Sequence, residues 1–348
     1  MHWLERHWYR ITPLHILLLP VSFIFRLLAA LRRALYHSGI LPSEKLPVPV
    51  IIVGNITVGG SGKTPLTLWL AQQLIDEGWH PGIISRGFTK GTQSTAKQAS
   101  RRIDSGGSDT TAPQAVHTSS NPDEVGDEAV LMAQRGLCPV WVGRDRPAAG
   151  RALLRTHPEC DVLLSDDGLQ HYRLRRDVEI AVVDGERRFG NGCLLPAGPL
   201  REAPSRLHEV DAVVINGGIA SGKEYRMQLD GSVFHNLLNP DTIKRTSDFH
   251  EMKLHAIAGI GYPQRFFAHL DDLGLTVQAH PFPDHHHYTP ADLAYADVDA
   301  ILMTEKDAVK CKAFATEKCW VLRVDAQLNP ALTHHILERI APNGRQAA

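Results

Sequence analysis

The segment Thr57-Val58-Gly59-Gly60-Ser61-Gly62-Lys63-Thr64 concentrates the residue types that bind phosphate. Gly59, Gly60 and Gly62 let backbone N–H groups curl around phosphate oxygens with no Cβ in the way. Lys63 supplies a mobile point charge, and the Thr64 hydroxyl is a hard oxygen ligand. The spacing fits the GxxxxGK[ST] phosphate loop at every position but the first, where Thr57 replaces glycine. Residues 57–64 are therefore the expected contacts of ATP, with Lys63 reaching the β- and γ-phosphates and Thr64 ligating Mg²⁺.

Such a loop needs a carboxylate on a neighbouring strand to complete its metal site. Asp161-Val162-Leu163-Leu164-Ser165-Asp166-Asp167 is an apolar run ending in two acids. Successive side chains on a strand point oppositely, so a regular strand aims at most one of Asp166 and Asp167 at the metal. Asp127-Glu128 reads equally well as the acidic first turn of a helix over 127–135, favourable to its dipole. Asp284-His285-His286-His287 is rich in metal-ligand types. Three adjacent histidines do not easily converge on one ion, so a solvated or catalytic loop is expected.

Several other signals are weaker. Thr304-Glu305-Lys306-Asp307 has the composition of the [NT]KxD element that reads guanine, but its Lys is third and not second, so that reading is rejected. Lys306 and Asp307 at a strand end suit contact with nucleotide, closure between domains, or a surface ion pair. Val58 stands where membrane-surface partitioning ATPases carry a signature Lys, and Gly259-Ile260-Gly261 lacks the third glycine of a dinucleotide fingerprint, having Gln264 there. Arg86, Arg187, Arg188 and Arg201 suit an anionic headgroup, because guanidinium forks match phosphate oxygens.

The elements that position these residues form an α/β pattern. Short apolar runs at Val48–Val53, Gly82–Ser85, Pro139–Val142, Val162–Ser165, Ile180–Val183 and Ala212–Ile215 are expected strands of a mostly parallel sheet covered by helices on both faces. Leu66, Trp69, Leu70 and Leu74 mark a helix directly after the phosphate loop, with Pro65 in its first turn and Gly78 beyond its end. Residues 89–123 are rich in Ser, Thr and Gly and read as a long mobile insertion. Past Gly217 a smaller α/β domain is expected, with strands at His255–Ile260, Ile301–Met303 and Trp320–Val324 and helices at Gln264–Leu273 and Pro330–Ile340. The division is 1–46, 47–216 and 217–348.

The chain has 348 residues, more than one small core accommodates. Its 37 Lys and Arg balance 38 Asp and Glu, which argues against a domain that coats nucleic acid. Five cysteines, odd in number and without a CxxC pair, argue against a disulfide framework. Residues 1–46 carry six basic side chains (Arg6, Arg10, Arg26, Arg32, Arg33, Lys45) against Glu5 and Glu44. The apolar run Leu14–Phe25 is interrupted by His15 and Pro20 and is short for a span, which needs ~20 residues. An apolar, basic helix on an anionic membrane surface is the expectation.

Taken in order, these residues carry a resemblance. Gly54-Asn55-Ile56-Thr57 running into the loop, Ser85-Arg86-Gly87-Phe88, Gly126-Asp127-Glu128, Asp166-Asp167-Gly168-Leu169-Gln170-His171, Arg187-Arg188-Phe189-Gly190-Asn191-Gly192, Leu195–Glu202, Asp284-His285 and Thr304–Asp307 are similar to the tetraacyldisaccharide 4′-kinases of lipid A biosynthesis. Ala129 departs from the family, which commonly has Pro there. The resemblance implies a P-loop NTPase-like fold and ATP- and Mg²⁺-dependent phosphorylation of the 4′-hydroxyl of an acylated disaccharide lipid. It places that reaction at the cytoplasmic face of the bacterial inner membrane. It further implies Asp127 as general base partnered by His285, Lys63 on the transferred phosphoryl group, and Glu128, Asp166 and Asp167 beside Thr64 at the metal. From the residues alone, two alternatives stand: another P-loop small-molecule kinase or ligase, or a membrane-bound nucleotide switch.

Overall fold

The computed structural model describes residues 7–10, 12–87 and 112–344. In chain order the elements are α1 (Pro13–His37), β1 (Val50–Gly54), α2 (Lys63–Asp76), β2 (Pro81–Ser85), β3 (Gln114–Val116), α3 (Pro122–Val125), α4 (Asp127–Arg135), β4 (Val140–Val142), α5 (Arg146–Thr156), β5 (Val162–Asp166), β6 (Val178–Asp184), β7 (Ala212–Asn216) and β8 (Tyr225–Asp230). They continue with β9 (Val233–Asn236), β10 (Ile243–Arg245), β11 (Leu254–Ala258), α6 (Pro263–Asp272), β12 (Val277–Pro281), β13 (Ala300–Thr304), α7 (Glu305–Cys311), β14 (Cys319–Leu322), β15 (Asp325–Leu328) and α8 (Ala331–Gly344).

The first sheet has nine strands in the order β15-β8-β7-β6-β1-β5-β2-β4-β3. It is parallel from β8 to β4, and only the edge strands β15 and β3 run antiparallel. Every residue of β1, β2 and β5 is buried. That is why these strands read as continuous apolar runs: both faces are covered by helices. The chain leaves β1 toward β2 on one side and β6 lies on the other. The carboxyl end of β1 is thus a topological switch point, where open α/β sheets bind ligands. In the β1–β5 register Val53 stands opposite Asp166, so the phosphate loop and the acidic edge begin at the same level.

The fully buried Arg146 at the start of α5 ties two strand ends together, donating to the carbonyls of Ile84 (3.0 Å) and Asp166 (2.9 Å). Burial pulls its pKa down to about 10, and the Asp166 and Asp167 carboxylates oppose that fall. Replacing Arg146 with Met strands both carbonyls, at about 1–3 kcal/mol each. The expected result is a lower denaturant midpoint at unchanged m-value.

The second sheet has six strands in the order β10-β9-β14-β13-β11-β12. This corrects the expected boundary after residue 216. β8 and β15 belong to the first sheet, and Leu332, Ile336 and Ile340 of α8 pack into its core. The second unit is an insertion from β9 to β14, entered and left by neighbouring segments. A Cβ on Gly231 would lie 2.1 Å from the carbonyl oxygen of Arg323.

Two further expectations change. Residues 89–111 of the expected insertion lie outside the described residues. Its remainder is ordered: β3 pairs with β4, and α3 starts at Pro122 under an Asn121 cap. The short strands at or next to a sheet edge, β3, β8, β9, β10, β12 and β15, carry no continuous apolar run, so sequence pattern does not reveal them. At the N-terminus Pro20 does not end α1, and His15–His37 is long and apolar enough, by length and composition, to cross a membrane. Among the described side chains of α1, Ser22 is the one buried against the body, accepting from Ala197 N–H and donating to the Leu194 carbonyl. Ile16, Leu17, Val21, Phe23, Ile24, Leu27, Leu28 and Leu31 face outward, each at least half exposed.

Candidate active site

The phosphate loop is built as its residue types require. Gly59 and Gly62 take φ of 98° and 93°, a region costly for any residue with a Cβ. The first position needs no such freedom: Thr57 forms an antiparallel bridge with Leu200. Thr57 therefore replaces glycine without strain. The Val58 N–H is likewise spent on the Pro199 carbonyl (2.8 Å), so the part of the loop free to hold phosphate is 59–64. Asn55 braces the turn, donating to the Gly59 carbonyl (3.3 Å) and the Ser61 hydroxyl (3.1 Å), and Asn216 donates to the Ser61 carbonyl (3.0 Å).

Lys63 Nζ lies 3.5 Å from Asp167, which also pairs with Arg201 at 3.2 Å. Asp167 has φ of 49°: the strand has ended, and the turn aims this carboxylate at the loop. Burial raises the Asp167 pKa, but Lys63, Arg201 and Arg146 outweigh it and bring it down to about 2. Asp166, still on β5, faces α2, the helix that opens from the phosphate loop. It is fully buried, accepts from the Thr67 hydroxyl (3.3 Å), and has its Oδ2 without a hydrogen-bond partner. Burial and the Glu128 charge push its pKa up to about 7. The left-handed turn at Asp167 breaks the alternation expected of a regular strand, and both acids meet α2: Asp167 at Lys63 and Asp166 at Thr67.

Asp127 opens α4 directly after Gly126, which has φ of 97°. It is 7% exposed. Its Oδ1 accepts from the Glu128 N–H (3.0 Å), and its Oδ2 is 3.3 Å from His285 Nδ1. Burial raises the Asp127 pKa, yet the His285 hydrogen bond and the charges of Lys306 and Lys310 hold it well below the usual carboxylate range. The bond from Asp127 in turn raises the pKa of His285. The histidine run does not converge: His286 approaches Asp292 (3.4 Å) and His287 approaches Asp123 (3.5 Å).

Lys306 Nζ joins both halves, at 3.2 Å from Glu128 and 3.2 Å from Asp284. It is not a surface pair. Burial lowers its pKa, and the three surrounding carboxylates more than reverse that. The phosphate loop, Glu128, Lys306 and residues of α6 such as Phe266 and His269 line one cleft of about 600 Å³ between the two sheets. Such a volume suits a nucleotide-sized ligand.

Among the described residues no three His, Cys, Asp or Glu side chains gather closely enough to hold a metal unaided. Mg²⁺ asks for less: one or two carboxylates, with phosphates and waters completing the octahedron. Hard oxygens only, and a buried Asp166 oxygen without a partner beside the Glu128 and Asp167 charges, fit that ion.

Of the arginines expected to meet an anionic headgroup, three are held inside the chain. Arg187 donates to the carbonyls of Gly60 (2.6 Å) and Gly261 (3.1 Å), clasping the phosphate loop to the second sheet. Arg188 donates to the Ile219 carbonyl, and Arg201 pairs with Asp167. Arg86 is exposed at the end of β2 and forms no ion pair with a described residue. The sequence assigns no role to Arg146, Thr67 or Lys310, and Asn55 enters it only as a member of the motif that runs into the loop. The one signal for Lys310 is its i, i+4 spacing from Lys306, which α7, a helix not expected from sequence, turns into two cations on one face.

A family model described as Tetraacyldisaccharide-1-P 4′-kinase matches residues 14–341. The tetraacyldisaccharide 4′-kinase of Methylobacillus flagellatus is 52% identical over 338 residues, covering 97% of this chain and 96% of that protein. That of Nitrosococcus oceani is 48% identical, covering 95% and 92%. A crystal structure of "apo" form LpxK from Aquifex aeolicus in complex with ATP superposes with a TM-score of 0.74 at 29% identity, covering 94% of this chain and 99% of the other. With the phosphate loop lining the cleft, the acidic edge paired with its Lys63, the Asp127–His285 pair beside its Lys306, and a family match across nearly its whole length, this chain belongs to the tetraacyldisaccharide-1-P 4′-kinase family.

Proposed function

We infer that this chain transfers the γ-phosphoryl group of ATP to the 4′-hydroxyl of a tetraacylated disaccharide 1-phosphate. The observation that carries the reading is a single cleft with Lys63 and Thr64 on one wall and Glu128 and Lys306, the neighbours of Asp127, on the other. Phosphoryl transfer demands little covalent chemistry of a protein; positioning and charge neutralisation dominate. The sugar oxygen attacks the γ-phosphorus, the bond from that phosphorus to the β–γ bridging oxygen breaks, and ADP leaves. Asp127 accepts the hydroxyl proton, and His285, hydrogen-bonded to it, shares the charge so that the pair titrates as a unit. Lys63 exchanges its Asp167 partner for phosphate oxygens. Thr64, Glu128, Asp166 and Asp167 are the residues that would hold Mg²⁺, which when bound neutralises charge developing on the phosphates.

The test is transfer of ³²P from γ-labelled ATP to a tetraacyl disaccharide 1-phosphate in detergent micelles. A labelled lipid is the expected product. ATP hydrolysis to free phosphate, with no labelled acceptor, would remove the lipid-kinase reading and leave another P-loop enzyme.

We further propose that the chain works on the cytoplasmic face of the inner membrane, held there by the exposed apolar side of α1. Arg26 and Arg32 are exposed on that helix, whereas Arg33 is engaged by Glu209. Anionic lipid thus meets fewer free charges than the sequence count implies, and buried apolar area carries most of the binding. Replacing Leu17 and Leu28 together with Asp is expected to abolish most sedimentation with anionic vesicles. Unaltered vesicle binding would move the contact elsewhere.

A further inference from the structure

Asp307 is fully buried yet takes no part in the chemistry above. Its Oδ2 accepts from the Gly259 N–H (3.1 Å) and the Thr304 hydroxyl (2.7 Å), and its Oδ1 faces Lys310 Nζ at 3.1 Å. Lys310 lies one turn beyond Lys306 on α7, its side chain 12% exposed and its ammonium 5.1 Å from the centre of the Tyr288 ring. The same Nζ is 3.9 Å from Asp127 Oδ2. One ammonium, held from below by a buried carboxylate and an aromatic face, thus stands against the carboxylate that meets His285.

We propose that Lys310 is a positioning residue for phosphoryl transfer: anchored by Asp307 and Tyr288, it fixes the Asp127 carboxylate in the orientation that faces His285. The proposal rests on the reading of Asp127 as proton acceptor. The terminal torsion of an aspartate is broad, so its two oxygens are placed by their partners. Asp127 Oδ1 is held by its own helix, and Oδ2 by His285 with the two lysines. Lys306 is shared with Glu128 and Asp284 at the nucleotide cleft. Lys310 does not line that cleft, so its contact with Asp127 is independent of what fills it. Its loss should therefore reach kcat without reaching ATP binding.

The experiment compares Lys310→Met, Lys310→Arg, the pair Asp307→Asn with Lys310→Met, and Asp127→Asn with and without Lys310→Met. Turnover is counted per molecule that binds ATP. Lys310→Met is expected to lower kcat on the order of 100-fold, the scale of a 1 Å misplacement, with KM for ATP nearly unchanged. Lys310→Arg, which keeps the charge, should regain most of the loss. The Asp307→Asn, Lys310→Met pair removes the buried charge together with its partner, so it should recover thermal stability but not kcat. In the Asp127→Asn background, Lys310→Met should change kcat by no more than about twofold. Recovery of both stability and kcat in the neutral pair would overturn the proposal, leaving Lys310 as a counter-ion of Asp307 only. A full additional loss on top of Asp127→Asn would overturn it too. Normal turnover of Asp127→Asn alone would instead refute the proton-acceptor reading beneath it, while a dead Asp127→Asn beside an unimpaired Lys310→Met would refute the Lys310 role alone.

Discussion

Lys63→Ala is expected to reduce phosphoryl transfer on the order of 10³-fold or more, the scale of losing a preorganised charge at a developing anion. Lys63 lines the cleft beside the helix N-terminus and is already paired with a carboxylate, so its ammonium is held in place before nucleotide arrives. Its removal deletes the main cation of the γ-phosphate and also leaves Asp167 with Arg201 as its remaining close partner. The fold should survive, since the loop is braced by Asn55 and Asn216 and not by Lys63. Turnover within a few-fold of the parent would mean that phosphate binds elsewhere. The check is a single-turnover transfer assay at saturating ATP, which separates the chemical step from binding.

Asp127→Asn is expected to remove about 10²–10⁴-fold from kcat, the range of a lost general base, while KM for ATP changes little. The substitution keeps shape and the hydrogen bond from the Glu128 N–H, but it removes the charge that Lys306, Lys310 and His285 surround. The opposite pattern, a large rise in KM for ATP with kcat retained, would make Asp127 part of the nucleotide and metal site. The two variants therefore separate the walls of the cleft: Lys63 acts on the donor and Asp127 on the acceptor.

A nucleotide switch predicts a different pair of outcomes, because it needs ATP binding and no acceptor chemistry. Loss of transfer in Asp127→Asn with ATP binding retained is meaningful only for an enzyme. The family to which the chain belongs is named for kinase activity, which agrees with the enzyme reading.

The legibility of the chain followed its physics. Buried parallel strands such as β1 and β5 must be apolar on both faces, so they stand out as runs, and GGSGKT after such a run is interpretable without any fold. The strands β3, β8 and β15 lie at or near a sheet edge and carry mixed residues, and β8 alternates burial along its length. Nothing local distinguishes them from loop. The boundary expected at 216 failed for the same reason: β15 and α8 return to the first sheet through contacts far away in sequence.

The amino-acid sequence by itself determined the chemistry available: a glycine turn that accepts phosphate, a lysine and a threonine at its end, and acids spaced to follow strand and helix starts. Those properties depend on residue type and on neighbours within a few positions. Only the tertiary structure decided which groups meet. It set Asp167 on Lys63 and Asp166 on Thr67, brought His285 onto Asp127 across 158 residues of chain, and set Lys306 and Lys310 against acids of the other unit. It also gave Arg187 and Arg201 partners within the chain. Such pairings are set by sheet order and packing, because the electrostatic energy of a charge depends on what lies within a few ångströms in space, whatever the separation along the chain.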